Sequence, residues 1–190
     1  MIPTLITYLL LVAFFVMEGR ARQGQAAKSL ETGEHDRGST RSIGAALGLG
    51  VLILLLAPLL NFFRLGGMIP PGLAWAGLVL AAGGLALRLW AMRVLGRFYT
   101  RTLRTAEQQT VVEAGPYRLI RHPGYAGVLA LWVGAALATA NLPAVLVMAV
   151  LMFATYTYRI RAEEQMLLAA LGQAYRDYQA RTKRLIPFIY

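Results

Sequence analysis

"PGYAGVLALWVGAALATANLPAVLVMAVLMFATYTY", residues 123–158, runs for 36 positions without a charged side chain. A helix that crosses a bilayer needs about 20 apolar residues, so this run is long for one span and nearly enough for two. At its middle stands "ATANLP" (138–143), where Asn141 and Pro143 are turn formers. The run therefore reads as two helices, about 125–139 and 143–160, joined as a tight hairpin. The first would be only about 22 Å long at a rise of 1.5 Å per residue, short for a bilayer. Gly127, Ala130, Gly134 and Ala138 put small residues at three- and four-residue spacing, which lets another helix come close.

Three more stretches lack charge: residues 2–17, 42–63 and 65–87. The second and third fit one spanning helix each. The first has no basic residues ahead of its apolar core, as a signal peptide would, and its positive charges come after it; it is counted as a helix. The expectation is an all-α integral membrane protein with about five transmembrane helices, helices four and five forming the hairpin. Residues 1–95 would hold the first three helices and 96–190 the functional region.

The 190 residues are 57% hydrophobic yet carry a formal charge of +10, and 17 of the 19 basic residues are arginine. Five basic residues lie in 18–42, seven in 88–121 and six in 159–190, against one in the 64–70 turn and none in 138–143. Five helices put the three rich segments on one face. The positive-inside rule makes that face cytoplasmic and sets the N-terminus outside. The basic excess is then explained by topology and anionic lipid, and no nucleic-acid partner is expected. With no cysteine and only His35 and His122, no metal site is expected either.

The polar chemistry falls in two clusters. One is the connection 96–122, "GRFYTRTLRTAEQQTVVEAGPYRLIRH", in which "QQTVV" has strand character and "EAGPY" is turn chemistry. Pro123 suits the first turn of helix four. One reading is an interfacial turn with Tyr117 and Tyr125 as belt aromatics. The other is a site, because a helix start offers N–H groups to an anion and aromatic rings face cations. S-adenosylmethionine carries a carboxylate, a sulfonium and an adenine together and would suit such residues, although its presence does not follow from them. The second cluster is 158–190, "YRIRAEEQMLLAALGQAYRDYQARTKRLIPFIY", where Arg159 and Glu163 share a helix face. Met166, Leu167, Ala170, Leu171, Ala174, Tyr175 and Tyr178 continue an amphipathic helix, and "LIPFIY" reads as an interfacial anchor.

In "VVEAGPYRLIRHPGYAG", a hydrophobic hairpin and "RIRAEE...LGQAYRDY", taken in this order over about the last 90 residues, the chain resembles the isoprenylcysteine carboxyl methyltransferase family of integral membrane enzymes. The resemblance implies S-adenosylmethionine as methyl donor. It implies that Gln109, Thr110, Val111 and Val112 border this cofactor with Tyr117, and that His122, Pro123, Gly124 and Tyr125 form its binding turn. Glu163 matches the acidic residue that meets the cofactor, with Glu164 beside it as the alternative register, and Arg159 matches the arginine at the methyl acceptor. The function it implies is methyl transfer at the cytoplasmic face to a lipophilic acceptor, a carboxylate first, that enters from the bilayer. The alternatives are a phospholipid or amine N-methyltransferase, an NADPH-dependent sterol-type membrane reductase, or a non-catalytic membrane scaffold.

Overall fold

The computed structural model describes residues 2–20, 36–67, 69–99, 109–187 and 189–190. Among these lie six α-helices: α1 (Ile2–Arg20), α2 (Ser39–Phe62), α3 (Pro71–Leu95), α4 (Pro123–Ala138), α5 (Leu142–Leu171) and α6 (Gln173–Arg181). Two 3-10 turns, Gly96–Phe98 and Gly115–Arg118, sit between α3 and α4. Four of the helices, α1, α2, α3 and α5, are long and apolar enough to cross a membrane, and α4 is a shorter apolar helix. The chain is an integral membrane protein, all-α as expected.

The short helix is the centre of the bundle. Ten of the 16 residues of α4 are buried, and α1, α2, α3 and α5 all pack around it. A helix apolar on every side is either enclosed by other helices or turned to lipid, and α4 is enclosed. Its small residues serve α3 rather than the hairpin partner α5. A Cβ on Gly84 would lie 2.5 Å from Leu131 N and 2.6 Å from Gly127 O, and one on Gly134 would lie 2.6 Å from Ala81 N and from Gly77 O. Gly77 and Gly84 on one helix and Gly127 and Gly134 on the other thus bring two backbones into direct contact. The small-residue spacing announced a close approach but not which helix would make it.

A polar lock ends α4 early. Asn141 is fully buried, its Oδ1 accepts the Ala144 N–H at 3.0 Å as the N-cap of α5, and its Nδ2 donates to Asn61 Oδ1 at 2.8 Å. Asn61 Nδ2 donates to Thr139 O at 2.7 Å. The α4–α5 turn is thereby tied to the end of α2, and Ala140 is held at φ 58°, a conformation that a residue with a Cβ rarely adopts.

Two helices run past the charges expected to end them. Residues 65–67 and 69–70 precede α3, which starts with Pro71 at its first position and continues through Arg88 to Leu95. Likewise α5 does not stop near 160 but carries "RIRAEE" on to Leu171, and Gly172, at φ 55°, separates it from α6. A charge interrupts an apolar run without interrupting a helix when the bundle supplies a partner. The start of α4 lies at the level of Arg88, since a Cβ on Gly124 would sit 2.9 Å from Arg88 Nη1. Beyond that level α3 and α5 continue while α4 is absent.

Candidate active site

The room left by the late start of α4 is a cavity of about 230 Å³. On α5 its wall is one helical stripe, Tyr156, Arg159, Glu163, Met166, Leu167 and Leu171. At 1.5 Å per residue this stripe is about 22 Å long. The deep end is apolar, with Phe14 and Phe15 of α1 and Ile43 and Leu47 of α2; the other end is closed by Gln109–Val112, Tyr117, Tyr175 and Tyr178.

Of the residues expected at the cofactor, Gln109, Thr110, Val111, Val112, Tyr117, His122, Gly124, Tyr125 and Glu163 all line this one cavity, as does Arg159. Pro123 does not; it is buried behind the wall, where it starts α4. "QQTVV" forms no strand among its described residues, 109–112; Gln108, like 100–107 of the expected loop and like His35, lies outside them.

The two adjacent glutamates separate cleanly. Glu163 faces the cavity and accepts a hydrogen bond from the Tyr125 hydroxyl. Glu164, about 100° further round the helix, faces away from it and is saturated: Arg121 Nε donates to Oε1 at 2.9 Å, and Arg184 Nε and Nη2 donate to Oε2 at 3.0 and 2.8 Å. His122 Nε2 lies 3.4 Å from the same carboxylate, and the imidazole stacks on Tyr125 at a centroid distance of 5.6 Å. The first N–H groups of α4 are also less available than the helix start suggested, because Tyr125 N and Ala126 N donate to His122 O at 3.1 and 3.0 Å.

Arg159 does not pair with Glu163, the neighbour on its own helix face. Its Nη1 donates to Asp36 Oδ1 at 2.9 Å, to Ser39 Oγ at 2.8 Å and to Thr40 Oγ1 at 3.0 Å, and its Nε donates to the Tyr125 hydroxyl at 3.2 Å. Asp36, Arg159, Tyr125 and Glu163 therefore form one hydrogen-bonded chain across the site. Burial pushes the Asp36 carboxyl up, but the hydroxyls of Thr40 and Ser39, the Thr40 N–H and the Arg159 charge outweigh it and hold its pKa below the ordinary value.

A second arginine was missed in the sequence. Arg88, 9% exposed, donates from Nε and Nη2 to Glu18 Oε1 at 2.9 and 2.7 Å and from Nη2 to the Tyr99 hydroxyl at 2.8 Å. Tyr99 in turn donates to Glu18 Oε2 at 2.8 Å. The one sequence signal was an arginine with apolar residues on both sides at continuing helical period, which marks a buried functional charge rather than a membrane edge. Burial raises the phenol pKa of Tyr99, Tyr117, Tyr175 and Tyr178, so these hydroxyls stay protonated at neutral pH.

An all-helical membrane bundle with a chamber running from an apolar flank to a polar mouth, two buried arginines in its walls, is the class these features define. The phospholipid methyltransferase family model matches residues 73–174, just over half of the sequence, and the chain belongs to that family. It is 30% identical over 118 residues to the probable protein-S-isoprenylcysteine O-methyltransferase of Oryza sativa subsp. indica, covering 61% of this chain and 62% of the relative. Protein-S-isoprenylcysteine O-methyltransferase B of Arabidopsis thaliana is 31% identical over 115 residues, 60% of this chain and 58% of that one. For the Rattus norvegicus protein-S-isoprenylcysteine O-methyltransferase the figures are 29% over 119 residues, 62% and 42%. The aligned part thus spans about three fifths of the plant relatives' length and about two fifths of the rat protein's. The solved structure of the eukaryotic intramembrane Ras methyltransferase, an isoprenylcysteine carboxyl methyltransferase, shares the fold at a TM-score of 0.71 and 22% identity, covering 98% of this chain and 68% of that one. The resemblance to the isoprenylcysteine carboxyl methyltransferases read from the sequence holds.

Proposed function

We propose that this chain is a membrane methyltransferase that moves a methyl group from S-adenosylmethionine to a lipophilic acceptor bearing a carboxylate, as the names of its relatives suggest. That polar mouth, buried arginines and apolar flank belong to one continuous cavity is the observation that carries the reading. The residues present fit the donor. Tyrosine rings suit a sulfonium, the Glu163 carboxylate suits an ammonium or hydroxyls, and Val111, Val112, Met166, Leu167 and Leu171 suit an adenine. When bound, the donor supplies a methyl group on a positively charged sulfur, open to in-line displacement, where alignment provides much of the rate.

The chain's own residues hold and align. Glu163, fixed by the Tyr125 hydroxyl, would grip the donor. Arg159, between mouth and flank, would attract the acceptor carboxylate by its charge, its guanidinium held in place by Asp36 and the Tyr125 hydroxyl. Arg88 faces the same space across Gly124. A carboxylate is already ionised at neutral pH and needs no base. That agrees with a site whose phenols stay protonated and whose histidine is engaged with Glu164 and Tyr125. Phe14, Phe15, Ile43 and Leu47 would admit the acceptor's hydrocarbon between α1 and α2 from the bilayer. By the positive-inside rule the mouth faces the cytoplasm and the N-terminus lies outside.

The test is transfer of labelled methyl from S-adenosylmethionine to an isoprenylated cysteine analogue and to an amine phospholipid, with protein reconstituted in vesicles. We expect label that base treatment releases as methanol, the behaviour of a methyl ester. Base-stable label in the phospholipid would instead establish amine methylation, and no label in either acceptor refutes the proposal.

A further inference from the structure

The helices on either side leave part of the turn proposed to hold the donor, the N–H groups of Arg121 and His122, without a partner of their own. Residues 119–122 belong to no helix; Leu119 N and Ile120 N donate to Pro116 O at 3.2 and 3.3 Å, but the N–H groups of Arg121 and His122 need partners from elsewhere. The end of the chain supplies them. After α6 the chain turns back beside this turn, where Arg121 N donates to Lys183 O at 2.7 Å and His122 N to Arg184 O at 3.0 Å. The side chains repeat the link. Arg121 from the turn and Arg184 from the chain end each donate to a different oxygen of Glu164, and Arg121 Nη1 also donates to Gln179 O at 3.1 Å and to Thr182 O.

The segment is itself anchored on the outer face of α5. Leu185 N and Ile186 N both donate to Tyr190 O at 2.7 Å, closing a small loop. Arg184 lies over the Tyr190 ring at 5.6 Å from its centroid, and that ring meets Phe153 at 6.2 Å. None of the described residues of 182–190 lines the cavity.

We propose that residues 182–187 with 189 and 190 are a clasp that fixes the 121–125 turn, and that Arg121, Glu164 and Arg184 are positioning residues for the methyl donor. This rests on the function proposed above. The clasp acts through the turn; Arg88 is carried by α3, and Arg159, joined to the turn by one bond to Tyr125, keeps its bonds to Asp36, Ser39 and Thr40 without it. Loss of the clasp therefore lowers donor affinity and spares turnover at saturating donor.

The experiment compares the full chain, a chain ending at Thr182, Arg184→Ala and Arg184→Lys. Donor affinity is read by calorimetry with S-adenosylmethionine, turnover at saturating donor, and amide hydrogen exchange at Arg121 and His122 without donor. The chain ending at Thr182 should exchange faster at both amides and bind the donor at least about tenfold more weakly, as expected for the loss of charge-assisted bonds. Its kcat should stay within about twofold, because no group on the reacting atoms is removed. Arg184→Ala should fall between, and Arg184→Lys should recover part of the affinity. Unchanged exchange, or an unchanged Kd with only a smaller folded fraction, overturns the clasp. Failure of the full chain to bind the donor overturns the proposed function and the donor role here together, whereas normal binding by the shortened chain overturns the clasp alone.

Discussion

Gly83 and Gly84 are adjacent on α3, and adding one methyl group to each should have opposite effects. A Cβ on Gly83 meets nothing within 4 Å, whereas one on Gly84 comes within 2.5 Å of Leu131 N and 2.6 Å of Gly127 O. Ordinary contact begins near 3.4 Å, so α3 and α4 must part by about 0.9 Å (3.4 − 2.5). Both opposing atoms are backbone and cannot rotate away. Overpacking of this kind costs about 1–3 kcal/mol. At about 2–4 °C per kcal/mol for a chain of this size, Gly84→Ala should lower Tm by about 2–12 °C. Gly83→Ala removes a flexible residue from a helix interior and should instead add about 0.5–1 kcal/mol. Thermal unfolding of the two variants in one detergent measures the difference. Because Arg88 lies one turn beyond Gly84 and against Gly124, the first variant should also lose turnover. Equal melting temperatures would refute the backbone contact and the central place given to α4.

Arg159→Ala should abolish turnover and also cost about 3–5 kcal/mol, because it leaves the buried Asp36 carboxylate without its cation; Arg159→Lys should regain stability but little activity, since an ammonium cannot reproduce a planar guanidinium that bonds Asp36 and Tyr125 through different nitrogens. A fully active Arg159→Ala protein in a turnover assay would remove this residue from the acceptor site. Glu163→Gln should weaken S-adenosylmethionine binding about tenfold by calorimetry with the fold intact; unchanged affinity would leave the carboxylate only its bond to Tyr125. Because the folded pKa of Asp36 is depressed, its contribution to stability is complete above the unfolded value of about 3.9 and is lost as pH falls through the folded one. Denaturation followed below about pH 4 should show a steeper loss in the natural chain than in Asp36→Asn, and identical acid limbs would contradict the pairing with Arg159.

The hairpin was legible because Asn141 and Pro143 interrupt a run too long for one span, and both do what their chemistry suggests: Asn141 caps α5, and Pro143 lies in its first turn. The turn proposed to hold the donor was legible for a similar reason, since "HPGY" announces a helix start and carries its aromatics on it. What escaped were pairings over long separations. Asp36 and Arg159 are 123 positions apart and Glu18 and Arg88 are 70 apart. Each charge taken alone, at the edge of an apolar run, looks like the boundary with water. Glu163 was favoured over Glu164 by the resemblance alone; neighbours on a helix differ by about 100°, and it is Arg121 and Arg184, from other segments, that reveal which one faces outward.

The chamber is made by omission. No side chain is hollowed out to form it; α4 simply begins at Pro123, level with Arg88, while its neighbours go on. Moving that first residue by one helical turn would raise or lower the floor by about 5.4 Å. The shift could come from lengthening or shortening the connection ahead of it, with every glycine of the α3–α4 seam left in place. On the function proposed above, acceptor size would be set like the stop on a piston, by where a helix starts, while the surrounding helices stay the same.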